Sequence, residues 1–186
     1  HDLGQYERAI QDFDEAIRLD PQYALAYYNR ARSYYQLGEY ERTIRDLDEA
    51  IPLDPQYAAA YYNRGLTYHL LGEYGRAIQD YDEVIRLDPQ YAEAYNNRGY
   101  AYDELGQSER AIQDYDEAIR LDPQYADAYI NRGIAYDELG QSERAIQDYD
   151  EAIRLDPQYA DAYINRGIAY DELGQSERAI QDYDEA

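Results

Sequence analysis

The chain has 186 residues, in which 40 Asp and Glu residues face 17 Arg residues, and its formal net charge is −23 at pH 7. A field of this sign repels nucleic acid and anionic membrane surfaces, so both are excluded as expected partners and basic partners are favoured. Cysteine is absent, which excludes disulfides and thiolate metal sites. The charge has a plainer alternative explanation, since it also keeps a long chain soluble.

One pentapeptide, Leu-Asp-Pro-Gln-Tyr, recurs every 34 residues and ends at Tyr23, Tyr57, Tyr91, Tyr125 and Tyr159. A fixed period of this length is typical of stacked repeats, in which each unit buries its apolar face against its neighbours. The period predicts one continuous array over residues 1–186. Its units are a partial repeat with a second helix only at 1–23, full repeats at 24–57, 58–91, 92–125 and 126–159, and a partial repeat at 160–186.

Each full repeat contains two amphipathic patterns, as residues 126–159 illustrate. Apolar and small residues from Ala128 to Leu139 fall at helical spacing and predict a first helix, which Gly140 suits as a left-handed end. A second stripe from Ala145 to Leu155 predicts a second helix. Asp156-Pro157 is expected to end that helix and to begin the next one, with Asp as its N-cap.

Small and charged residues also recur at set places in the repeat. Glycine occupies the middle of each first helix except at Ala31, where it costs about 1 kcal/mol relative to Ala. Close approach of the paired helix is the expected compensation. Arg132 recurs with Asp148 in every full repeat, which predicts an ion pair or hydrogen bond between the two helices.

These residues resemble the signature of the tetratricopeptide repeat family along the whole chain. The matching positions in one repeat are Tyr129, Gly133, Tyr136, Ala145, Tyr149, Ala152 and Pro157. The resemblance implies an all-α fold, a right-handed superhelical solenoid of antiparallel helix pairs. It also implies that the first helices line a concave groove, which in this family commonly holds peptides.

The resemblance places one asparagine on the groove side of every first helix. These residues are Asn29, Asn63, Asn97, Asn131 and Asn165. Because an amide both donates and accepts hydrogen bonds, such a ladder can bind the backbone of an extended peptide, and it looks like the asparagine ladder of the O-GlcNAc transferase repeats. The alternative is that each asparagine bonds an adjacent helix.

Two further sets of side chains are expected along the groove. Tyr28, Tyr35 and Tyr62 can form an aromatic wall towards the N-terminal end. Towards the C-terminal end an acidic strip is expected, with Asp127, Asp137 and Glu138 and also Asp103, Glu104, Asp161, Asp171 and Glu172. A ligand with an apolar and a basic segment suits both sets, although a face without any ligand is an equal alternative.

The residue that begins each second helix changes along the chain. It is Tyr6, Tyr40 and Tyr74 in early repeats and Ser108, Ser142 and Ser176 in later ones. We expect each serine to act as a helix N-cap, worth about 1 kcal/mol, at the expense of aromatic packing.

These observations favour a non-enzymatic scaffold that binds an extended peptide or protein of basic or mixed apolar and basic character. Catalysis is not expected, because the chain has only two histidines and no serine with a base beside it. No cofactor is expected, and no metal, because the carboxylates lie on helices and lack the loop geometry of a calcium site. The alternative is a designed or duplicated structural array without a cognate ligand. Since residues 160–186 duplicate residues 126–152, such an array is expected to associate head to tail.

The location of the protein in the cell is not encoded in any recognisable signal. The chain begins inside a repeat, without an initiator Met or a signal-peptide pattern, and has no long apolar run. We therefore expect a fragment or an engineered array that is soluble, and cytoplasmic if it is intracellular.

Overall fold

A computed structural model describes residues 3–186, and every regular element in them is an α-helix. The helices are α1 (Leu3–Leu19), α2 (Ala24–Gln36), α3 (Tyr40–Leu53), α4 (Ala58–Leu70), α5 (Tyr74–Leu87), α6 (Ala92–Asp103), α7 (Ser108–Leu121), α8 (Ala126–Glu138), α9 (Ser142–Leu155), α10 (Ala160–Glu172) and α11 (Ser176–Glu185). The predicted all-α class is confirmed. Residues 1 and 2 of the predicted first partial repeat lie outside the described part.

The chain forms two compact units, one up to Pro89 and one from Gln90. In the first unit α1 packs on α2, α2 pairs with α3, and α3 contacts α4, which pairs with α5. In the second unit α6 pairs with α7 and α8 with α9, α10 pairs with α11, and α7 contacts α8 as α9 contacts α10. Short turns join successive helices, so each unit is a stack of antiparallel helix pairs.

The turn inside each repeat agrees with the sequence prediction, whereas the turn between repeats agrees only in part. Helix α9 ends at Leu155, directly before Asp156, as predicted. Gly140 has a φ of 69°, which confirms it as the left-handed residue after α8. The expectation that Asp156 caps the next helix is wrong. Its Oδ1 instead accepts a hydrogen bond of 3.0 Å from the backbone N–H of Gln158, and α10 begins only at Ala160. The aspartate therefore holds a local turn, as this residue type often does.

The mid-helix glycines make room for tyrosines of the paired helix. A Cβ at Gly133 would lie 2.5 Å from Cε1 of Tyr149, and a Cβ at Gly65 would lie 2.8 Å from Cε1 of Tyr81. The expected close approach is confirmed. The repeat with Ala31 in place of glycine has Leu47 in place of tyrosine, and both side chains are buried. A shorter partner therefore leaves space for the extra carbon.

The predicted link between Arg132 and Asp148 is also confirmed. Nε and Nη2 of Arg132 donate to the two carboxylate oxygens of Asp148 at 2.8 and 2.6 Å, and Nη1 donates to Asp116 of the preceding repeat at 2.5 Å. The side chains of Arg132 and Asp148 are only 18% and 8% exposed. Burial raises the pKa of Asp148, while the hydrogen bonds from Arg132 oppose that rise.

The same arrangement recurs along the chain. The corresponding sets are Arg30 with Asp46 and Asp14, Arg64 with Asp80 and Asp48, and Arg166 with Asp182 and Asp150. Arg98 forms the bidentate pair with Asp114. In each three-residue set the arginine joins both helices of its own repeat to the second helix of the repeat before it.

Replacing Gly65 by Ala tests the glycine–tyrosine packing. In the parent chain Gly65→Ala is expected to lower the free energy of unfolding by about 1–3 kcal/mol, because Tyr81 has to move. In a Tyr81→Leu background, which reproduces the Ala31–Leu47 pair, the same change is expected to cost little. The hydroxyl of Tyr81 is buried without a partner, so the background change breaks no hydrogen bond. Urea unfolding of the four chains measures this, and an equal cost in both backgrounds would contradict the packing argument.

Replacing Arg132 by Met tests the buried ion pair. The change leaves Asp148 charged and unpaired in a mostly buried place, so we expect a loss of about 3 kcal/mol, measured by urea unfolding. Arg154→Met is the matched control, since its pair with Glu151 is exposed on the surface and is worth less than about 1 kcal/mol. Equal destabilisation by the two variants would show that burial of the pair does not matter.

Candidate functional site

Cavities recur at equivalent places where one repeat meets the next within a unit. The Tyr35 cavity, of about 210 Å³, lies between α2, α3 and α4 and is lined by Tyr35, Arg32, Asn63 and neighbouring apolar residues. The Asp103 cavity, of about 360 Å³, and the Asp137 cavity, of about 270 Å³, lie at later junctions in the second unit. Since their lining residues occupy the same positions of the repeat, the stacking itself creates the cavities.

The predicted asparagines line these cavities and also link repeats. Asn63 Nδ2 donates to the hydroxyl of Tyr28 at 3.0 Å, and Asn131 Nδ2 donates to Oδ1 of Asn96 at 3.1 Å. In both cases the acceptor belongs to the first helix of the preceding repeat. The acceptor position before Asn165 is taken by Ile130. Asn63 and Asn131 therefore use an amide donor inside the protein.

The other two asparagines of the ladder lie in different surroundings. Asn29 lines a cavity between α1 and α2 together with Tyr6, Phe13 and Arg32. Asn97 accepts a hydrogen bond of 3.3 Å from Nδ2 of Asn96. Asn63 and Asn131 thus share a position in the repeat but donate to different kinds of acceptor.

The predicted tyrosines each pack against a different ring. Tyr28 lies 4.6 Å from Tyr57, Tyr35 lies 5.8 Å from Tyr40, and Tyr62 lies 6.1 Å from Tyr81, measured between ring centroids. Burial and the neighbouring Tyr28 raise the pKa of Tyr57 to about 12. Of the three predicted residues, Tyr35 lines a junction cavity. Tyr28 and Tyr62 contribute mainly to packing within the first unit.

Of the predicted acidic residues Asp127, Asp137 and Glu138, the structure brings two to the junctions. Asp137 and Glu138 line the Asp137 cavity, and Glu138 also lines the Asp103 cavity. Asp127 lies in the first turn of α8 and accepts a hydrogen bond from the hydroxyl of Tyr159. That hydrogen bond, together with burial, raises the pKa of Tyr159 to about 12.

At the later junctions an aspartate and a glutamate lie near one serine. The sets are Asp103, Glu138 and Ser108, and Asp137, Glu172 and Ser142. Ser108 Oγ donates to Glu138 Oε2 at 3.0 Å, and Ser142 Oγ donates to Glu172 Oε2 at 2.8 Å. Burial raises the pKa of Asp103 to about 6, the nearby Glu138 adds to the rise, and Ser108 opposes it. The carboxyl of Asp103 is thus poised to exchange a proton near neutral pH.

The N-cap expectation for these serines is wrong. Ser108 and Ser142 lie inside the first turns of α7 and α9, and the preceding residues, Gln107 and Gln141, make no side-chain cap. The hydroxyls bond the next repeat instead. A sequence signal for this contact existed, because each of the two serines is followed 30 residues later by a glutamate, Glu138 or Glu172.

The stacked helix pairs and their repeated junctions define a helical-repeat protein. Models described as TPR repeat match residues 1–38 and 31–72, and models described as tetratricopeptide repeat match residues 58–91, 96–159 and 148–181. The chain belongs to the tetratricopeptide repeat family.

Solved structures of the same family resemble the chain along most of its length. A crystal structure of MamA is 29% identical with a TM-score of 0.79, covering 83% of this chain and 91% of its own. MamA 41-end from Desulfovibrio magneticus RS-1 is 25% identical with a TM-score of 0.81, covering 87% and 91%. YrrB, described as a TPR protein with an unusual peptide-binding site, is 25% identical with a TM-score of 0.76, covering 93% and 89%. Comparison with curated proteins gives no significant match.

The described residues contain neither a membrane-spanning helix nor a metal-binding group of side chains. None of the helices between residues 3 and 186 is long and apolar enough to span a membrane. Within the same range, no three side chains of His, Cys, Asp or Glu are grouped so that they can hold a metal ion.

Replacing Asp103 by Asn tests the electrostatics of the Asp103 cavity. Its pKa in the folded chain is about 6, above the ordinary value of 3.8, so the folded state binds this proton more tightly than the unfolded state. Stability from this group is therefore present below about pH 4 and is lost as the pH rises to about 6. We expect Asp103→Asn to raise the free energy of unfolding by about 1 kcal/mol at pH 7, a value reduced for partial exposure, and to change it little at pH 4.

Urea unfolding of the parent and the variant at the two pH values measures this difference. Glu109→Gln removes one exposed carboxylate and controls for the change in net charge. A stabilisation by Asp103→Asn that is the same at pH 4 and pH 7 would disprove the raised pKa.

Proposed function

We propose that the chain is a non-enzymatic scaffold that binds an extended peptide or protein segment along the first helices of its repeats. The observation that carries this proposal is the recurrence of junction cavities at equivalent positions, each lined by an asparagine, Asn63, Asn131 or Asn165. A series of equivalent cavities suits a ligand that is itself extended and periodic. The similarity to YrrB, which is described as having a peptide-binding site, supports the same class of ligand.

The ligand is proposed to be basic, or apolar in one part and basic in another. The net charge of −23 attracts cationic segments over a distance. The Asp103 and Asp137 cavities add carboxylates close to the asparagines, whereas the Tyr35 cavity presents an aromatic ring and apolar side chains. In each cavity the asparagine provides the contact with the peptide backbone, and the other residues select the ligand side chain.

A structural array without a ligand is the second candidate. It is favoured by the hydrogen bonds of Asn63 and Asn131 to the preceding repeats, since the same residues would be kept for stability alone. On this view the near-identical repeats serve to stack copies of the chain head to tail.

Two asparagine variants separate these candidates. Asn131 bonds the preceding repeat through its amide, whereas the equivalent acceptor position for Asn165 is Ile130, whose side chain accepts no hydrogen bond. We expect Asn165→Ala to leave the melting temperature unchanged and to weaken binding of peptides selected from a basic and mixed apolar/basic library. Asn131→Ala is expected to lower both.

Binding is measured by isothermal titration calorimetry and stability by thermal unfolding. The proposed scaffold function is wrong if the parent chain selects no peptide from the library. It is also wrong if the selected peptides bind Asn165→Ala and Asn131→Ala as tightly as the parent. Concentration-dependent light scattering of the parent, together with an absence of selected peptides, would favour the structural array.

A further inference from the structure

The Asp103 cavity has walls from two consecutive repeats. Its lining residues are Tyr100, Asp103, Glu104 and Tyr115 of one repeat and Asn131, Ile134 and Glu138 of the next. Three of these seven side chains are acidic and none is basic. At about 360 Å³, the cavity is large enough for the end of one long side chain.

One buried polar atom in this cavity has no partner in the described part of the chain. Oδ1 of Asp103 is buried without a hydrogen bond. Tyr115 lines the same cavity and is only 1% exposed. A buried polar atom is costly when unpaired, so a ligand that pairs it gains more than an ordinary surface contact provides.

The required ligand group has a positive charge, several donors and a shape that fits between a carboxylate and an aromatic ring. A guanidinium group meets these conditions, because it has five N–H donors in one plane, stays protonated when partly buried, and stacks on tyrosine rings. An ammonium group provides fewer donors and retains its water more strongly.

We infer that the Asp103 cavity is a recognition pocket for an arginine side chain of the bound peptide, with the guanidinium between Asp103 and Glu138 and next to the hydroxyl of Tyr115. This inference rests on the proposed peptide-binding function and specifies one of its contacts. The guanidinium donates to Oδ1 of Asp103, and Asn131 contacts the peptide backbone beside the arginine. The carboxyl of Asp103, whose pKa is near 6, is held ionised by the bound cation.

The other junction cavities of the same chain provide internal comparisons. The Tyr35 cavity contains Arg32 and no carboxylate, so it repels an arginine. The Asp137 cavity repeats the acidic residues, and Oδ1 of Asp137 is likewise buried without a partner. Its volume is smaller, about 270 Å³, and its tyrosine hydroxyl already donates to Asp137. The Asp103 cavity therefore offers a guanidinium the most room among the three.

The test uses the full chain and a peptide selected by the library experiment that contains one arginine. The peptide is labelled with fluorescein, and two further versions have citrulline or lysine in place of the arginine. Fluorescence anisotropy at fixed salt measures their affinities for the parent, Asp103→Asn, Tyr115→Phe and Glu109→Gln. Circular dichroism checks that every variant is folded.

We expect citrulline to weaken binding to the parent about tenfold and lysine to weaken it several-fold, since charge-assisted hydrogen bonds are lost. Asp103→Asn is expected to weaken binding of the arginine peptide about tenfold and to leave the citrulline peptide unaffected. Tyr115→Phe is expected to weaken binding of the arginine peptide a few-fold. Glu109→Gln, which removes the same charge from an exposed position outside the cavity, is expected to change little.

Equal weakening by Asp103→Asn and Glu109→Gln would overturn the pocket, because it would show only a general attraction of charge. Equal affinity for the arginine and lysine peptides would also overturn it, since the selection of a guanidinium would be lost. In either case the labelled peptide still binds the chain, and the scaffold function stands. A library that yields no peptide at all removes the proposed function as well.

Discussion

The guanidinium of Arg132, like those of Arg30, Arg64 and Arg166, joins three helices through hydrogen bonds. Arg132 lies between Asp148 of its own repeat and Asp116 of the preceding one, and its guanidinium carbon lies 5.6 Å from the ring centre of Tyr129. A largely buried charge is tolerated only if its donors are satisfied in a defined geometry. The arginine therefore allows few relative positions of the helices, and the close packing of Tyr149 on Gly133 depends on those positions.

The junction cavities follow from the same stacking. Asn131 is the neighbour of Arg132 in the sequence, so a link on one side of α8 places the asparagine beside the cavity. The arginine and its two aspartates recur at the same positions of the repeat, whereas the cavity residues vary between Tyr35 in the first unit and Asp103 and Asp137 in the second. A constant framework with a variable lining is what a family of binding scaffolds requires, because the ligand can change without a cost in stability.

The sequence predicted interactions within a repeat better than interactions between repeats. The pairs Gly133–Tyr149 and Arg132–Asp148 lie 16 residues apart on two helices joined by a short turn, so helical periodicity alone brings them together. The hydrogen bond from Asn131 to Asn96 and that from Ser108 to Glu138 join different repeats. Their geometry depends on the angle and offset of stacking, which the period does not specify. For that reason the sequence predicts that the serine caps its own helix, and it does not predict which residue of the preceding repeat accepts the bond from each asparagine.

The central claim is that the buried arginine and its aspartate act as a unit in holding the repeat. A double-mutant cycle of Arg132→Met and Asp148→Asn, followed by urea unfolding, tests it most directly, with Asp116→Asn in a parallel cycle for the more exposed partner. The account predicts a coupling energy of about 2 kcal/mol between Arg132 and Asp148 and a smaller one with Asp116. Additive effects of Arg132→Met and Asp148→Asn would contradict it.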